Sequence, residues 1–102
     1  MTIFNTIRRD ILSIVETLPL NGSSERRLLA DEALKVVVEF AKKNTLSGFP
    51  VRDIVIASIY TAGRRIGIPL TPYHIKEAYD DKAIWNNSWV KTLKLMEKYL
   101  TL

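Results

Sequence analysis

His74, Glu77 and Asp80 are the residues of this chain with the spacing of a ligand set, each one helical turn beyond the last. An imidazole and two carboxylates on one helix face are able to hold a divalent cation. Protein zinc sites draw on several nitrogen or thiolate donors, however, and this chain has one His and no Cys. Polar residues on a solvated helix face account for the same three positions, so no metal or other cofactor is expected. Ser, His and Asp residues all occur, yet no GxSxG frame presents a nucleophile. The four glycines are scattered turn residues and form no phosphate-cradling loop. The expectation is a protein without enzymatic chemistry.

The basic residues offer a different chemistry. Lys91, Lys94 and Lys98 recur at helical spacing, Lys82 precedes them, and Asn86 and Asn87 stand just ahead. In a helix-turn-helix docking the fourth helix would cross the DNA backbone and the start of the fifth would enter the major groove. Asn86 and Asn87 would then meet base edges, while the lysines met phosphates. A capped helix with a solubilising lysine face describes the same residues equally well.

Lys43, Arg52 and the adjacent Arg64 and Arg65 complete the candidate contacts for a nucleic acid or an acidic protein. Cations at a helix C-terminus gain about 0.3–1 kcal/mol from the dipole, which alone can place two arginines there. Of the pair, Arg65 is read as the one freer to meet a phosphate or an acidic partner.

The balance of charge is basic but modest, at +4 over 102 residues. Seven Lys and Arg stand against six Asp and Glu in residues 1–50, and eight against five in residues 51–102. An anionic partner would therefore favour the C-terminal half. No apolar run approaches the ~18 residues that a membrane span requires. Arg8-Arg9 follow the first apolar residues, an order wrong for a signal peptide. A soluble, cytoplasmic protein of one domain, residues 1–102, is expected.

Five helices must position these groups. Phe4, Ile7, Ile11, Ile14 and Leu18, widened by Leu12 and Val15, form an apolar stripe ended by Pro19. Two heptads are too few for a coiled coil, so this stripe reads as core-facing. A second helix follows Ser23 or Ser24 as cap, with Leu28, Leu29, Ala33, Val36, Val37 and Phe40 inward and Lys42 and Lys43 in its last turn.

The third helix runs from Pro50 to a stop at Gly67 and Pro69. Ile54, Val55, Ala57, Ile59 and Ala62 make it apolar around most of its circumference, as in the buried central helix of a bundle. A strand over "DIVIASIY" is the competitor, because β-branched residues dominate there. Thr71 and Pro72 open a fourth helix, with Ile75, Ala78 and Tyr79 inward. The fifth begins near Asn86 or Asn87, burying Trp89, Leu93, Met96 and Leu100.

The stretch "IASIYTAGRRIGIPLTPYHI" resembles the cyclin-box repeat of transcription factor IIB and its archaeal counterpart. Ala57, Ile59, Tyr60, Ala62, Arg64, Gly67, Pro69, Thr71 and Ile75 stand where that family's "AAxIYxACR" and "GxPxTxxEI" runs have their signature residues. "ILSIVETLPL" is similar to the family's first helix and its Leu-Pro end. The resemblance implies an all-α, five-helix cyclin-like bundle with a central buried third helix, Arg64 serving as a structural ion-pair partner. It also implies a role in transcription, with a TATA-binding protein, a polymerase or duplex DNA as partner.

The departures are equally informative. The family's general factors carry two repeats behind a zinc ribbon, whereas this chain has one repeat and no Cys. Phe49 occupies the loop position where the family offers DNA a basic residue, and Leu70 replaces an Arg. These losses favour a protein-interaction module over a DNA binder. A homodimer would supply two repeats. An isolated repeat fits an archaeal virus or mobile element, which would place the protein in the host cytoplasm.

Overall fold

The apolar stripes of the sequence fold as helices throughout. The structure, a computed structural model, describes residues 3–79 and 88–100. Within them run α1 (Ile3–Thr17), α2 (Ser23–Ala41), a short 3-10 turn (Leu46–Gly48), α3 (Val51–Ile66), α4 (Pro72–Tyr79) and α5 (Ser88–Tyr99), with no strand among the described residues. The competing strand over "DIVIASIY" is thus excluded: those residues lie inside α3.

α3 is buried along much of its length. It packs on α1, α2, α4 and α5. An unbroken run from Asp53 to Ile59 is buried, as are Thr61, Ala62 and Gly63. Small residues make this possible. A Cβ added at Gly63 would sit 3.1 Å from the Ile68 carbonyl oxygen and close to the Leu70 side chain. The chain beyond α3 therefore folds back against a helix surface that has no side chain to displace it. Ser58 is buried without loss, since its hydroxyl donates to the Val55 carbonyl at 3.0 Å.

The turn beyond α3 explains how the chain reverses. Gly67 adopts φ 78°, ψ 22°, the left-handed geometry that only glycine takes without strain. The Ile68 amide donates to the Gly63 carbonyl at 2.9 Å, closing a Schellman-type cap. Four residues after Gly67, Thr71 directly precedes α4.

Several boundaries and faces differ from expectation. α2 is preceded by Gly22, with no side-chain cap from Ser23 or Ser24. The Glu25 carboxylate instead accepts from the Asn21 amide at 3.1 Å. α2 ends at Ala41, so Lys42 caps the helix and Lys43 lies beyond it.

Two leucines assigned to the core are exposed, Leu28 at 61% and Leu12 at 40%. The reason is angular. Leu29, Ala33, Val36, Val37 and Phe40 are fully buried, and at about 100° per residue Leu28 lies more than 100° from the middle of that stripe. Ile7, Ile11, Ile14, Val15 and Leu18 of the first stripe are buried as expected, and so are Ile75, Met96 and Leu100. Trp89, Leu93 and Ala78 pack on this core from half-buried positions. No helix among the described residues is long and apolar enough to cross a membrane.

Candidate protein and nucleic-acid interfaces

Both arginines at the end of α3 make ion pairs, so Arg65 is not the free group expected. Arg65, read as the freer one, is only 17% exposed and bridges two carboxylates of α2. Its Nη1 donates to Glu32 Oε2 at 3.2 Å and its Nη2 to Glu39 Oε2 at 3.0 Å. Glu32 and Glu39 stand two turns apart on one face of α2, so one planar guanidinium spans both. Partial burial works to lower the Arg65 pKa, but the hydrogen bonds and charges of Glu39 and then Glu32 prevail and hold it above its ordinary value. Arg65 is thus a clamp between α2 and α3.

Arg64 is the more exposed of the two. It donates from Nη1 to Glu97 of α5 at 2.9 Å and lies 5.8 Å from the centroid of the Tyr60 ring. Exposed pairs of this kind stabilise by about 0.2–1 kcal/mol.

The other candidate cations fall into separate groups. Lys43 borders an open depression with Glu32, Glu39, Lys42, Arg65, Tyr99 and Leu100. Its two carboxylates offset much of the basic charge there. Arg52 is half-buried and already engaged in an interaction of its own. Lys91, Lys94 and Lys98 are exposed along α5, with the Lys98 ammonium 5.6 Å from the Tyr99 ring centroid. Lys82, Asn86 and Asn87 lie outside the described residues.

Phe49 has a packing role. Its ring lies 5.4 Å from that of Phe40 at 57°, a tilted pair that ties the loop to the core.

The ligand spacing of α4 has a local explanation. The His74 amide donates to Thr71 Oγ1 at 3.3 Å, and the Thr71 amide donates back to His74 Nδ1 at 3.4 Å. This is a capping box with histidine in place of the usual Glu or Gln. Glu77 acts on Tyr73, where a hydrogen bond to its carboxylate, then its charge, then burial raise the phenol above its ordinary pKa. Asp80 lies outside the described residues, and no cluster of three His, Cys, Asp or Glu suited to a metal occurs among the described ones.

What sequence reading missed is an apolar outer surface. Leu28 and Val38, the latter 42% exposed, flank the solvent-facing side of α2, and Leu12 stands exposed on α1. Asp31, Leu34, Lys35, Val38, Glu39 and Lys42 line a shallow depression on that side of α2. Beside it, Leu12, Val15, Glu16, Arg26, Arg27 and Asp31 border a second one between α1 and α2. The signal for this surface lay in the helical wheel of α2, where Leu28 and Val38 fall off the buried stripe. No family model, curated protein or solved structure matches the chain.

Proposed function

We propose that this chain is a cyclin-like repeat, with α3 as its central helix, that serves as a non-catalytic protein-interaction module in transcription. The observation that carries the interaction reading is the outward face of α2, where Leu28 and Val38 lie in water amid charged residues. Exposed apolar side chains set among charges on one helix face suit a protein contact. The transcription setting rests on the signature residues Ala57, Tyr60, Ala62, Arg64, Pro69 and Thr71, with a TATA-binding protein or polymerase as the partner class.

A second reading has its own observation. Lys91, Lys94 and Lys98 are all exposed at helical spacing on α5, as phosphate contacts would require. Duplex DNA binding measured by fluorescence anisotropy at several salt concentrations separates the two. If each lysine neutralises one phosphate, log K falls against log salt with a slope of about −2.7, and replacing all three with alanine removes binding. The interaction module predicts a much shallower slope that the triple substitution leaves unchanged. The full slope, lost in the triple variant, would assign the function to DNA instead.

A further inference from the structure

We propose that the outward face of α2 is a self-complementary surface, covered by α2 of a second copy of this chain running antiparallel about a two-fold axis that crosses the helix at the level of the inward-facing Ala33. The inference rests on the reading of this face as a protein-contact surface and names its resting occupant, which a transcription partner meeting the same face would displace.

The charges of the face make the case. Asp31 and Lys35 are both exposed and stand one helical turn apart. Neither joins the ion pairs found among the described residues. Around Ala33 they are mirror positions, two residues to either side. Antiparallel pairing through that point sets Asp31 against the partner's Lys35, and the two-fold repeats the pair.

The apolar residues obey the same register. Leu28 and Val38 are each five residues from Ala33, so Leu28 faces the partner's Val38. Lys35, Val38, Glu39 and Lys42 have the i, i+3, i+4, i+7 spacing of a hole between helical ridges, and all four line the shallow depression. The Leu28 side chain, 61% exposed, is the knob that this register sets opposite it. Arg27 reaches the outer side of the partner's Glu39, which remains 44% exposed beside Arg65.

An acidic or a basic partner would oppose part of this mixed set with its own sign. A second copy sets Arg27, Asp31, Lys35 and Glu39 each against an opposite charge, and leaves Lys42 facing the neutral Ser24. The helix is 19 residues long, about 28 Å, so a dimer held by this face alone is expected to be of micromolar strength.

Sedimentation velocity tests the register with charge reversals. At about 100 µM, where a micromolar Kd leaves most chains associated, the wild type is expected to sediment as a dimer. Asp31→Lys and Lys35→Asp are each expected to sediment as monomers with unchanged helical circular dichroism. Mixed in equal amounts they regain the dimer, because every facing pair is again of opposite sign. Leu28→Asp is monomeric alone and in every mixture.

A wild type that stays monomeric, or single reversals that still dimerise, would overturn the proposal. A monomeric chain that binds a TATA-binding protein, and loses it with Leu28→Asp, gives the face to that partner and leaves the function reading standing. A dimer that binds neither that protein nor a polymerase supports the surface and removes the transcription role.

Discussion

Replacing Arg65 with alanine is expected to lower stability by about 2 kcal/mol, between the cost of exposed pairs and that of breaking buried ones. The guanidinium is 17% exposed and Glu32 21%, so much of the attraction is shielded from water. Alanine would leave Glu32 and Glu39 on one face of α2 without their common counterion, at the seam where α2 meets α3.

Because its pKa is raised in the fold, the Arg65 charge is complete at every pH below its ordinary value. It is lost only as the pH rises through the raised one. Arg65→Lys retains the charge but not the two-pronged geometry, and is expected to recover part of the loss.

Urea unfolding measures this directly, as a lower midpoint at unchanged m. Arg64→Ala serves as the comparison, since its exposed pair with Glu97 is worth less than about 1 kcal/mol. If Arg64→Ala proved the more damaging, the assignment of the two arginines would be reversed.

A larger loss is expected at Phe40. It is fully buried at the end of α2, and its ring meets Phe49 from the loop before α3. Phe40→Ala removes the buried ring and leaves a cavity, at a cost of about 3–5 kcal/mol. Losing the tilted ring pair adds about 0.5–1.5 kcal/mol. Against total stabilities of roughly 5–15 kcal/mol, that leaves the variant close to unfolding at ambient temperature.

Thermal unfolding followed by circular dichroism should show a melting temperature lowered by well over 10 °C, at about 4–8 °C per kcal/mol. A fall of only a few degrees would mean that the loop and α2 are not joined through these rings. The same contact gives Phe49 a packing role, tying the loop before α3 to the core.

Much of the architecture was legible because burial leaves a periodic trace. α3 was readable from its apolar residues on nearly every face, and its exit from Gly67 and Pro69. α1 was readable from Ile7, Ile11 and Ile14. Where a helix is amphipathic but its stripe is wide, composition misleads: Leu28 and Leu12 are leucines, and only their angle on the helix tells that they face water.

Arg65 was misread for a different reason. Its two partners lie 26 and 33 residues away on another helix, and no local pattern announces a pairing that depends on how α2 and α3 cross. The ligand-like spacing on α4 was equally opaque, since the hydrogen bonds of His74 with Thr71 and the action of Glu77 on Tyr73 appear only once the turn has its geometry. The resemblance that points to transcription rests on α3 and the start of α4, which position the fold. The surfaces that would meet a partner lie on α2 and α5, where that signature is silent.

The proposed function is a protein contact in transcription. Isothermal titration of the full chain into a TATA-binding protein tests it most directly. The account predicts saturable binding with a Kd of about 1 µM or tighter, unchanged when Lys91, Lys94 and Lys98 are all replaced by alanine. A titration without saturable heat would contradict it, as would binding that appears only with duplex DNA present and vanishes with those three lysines.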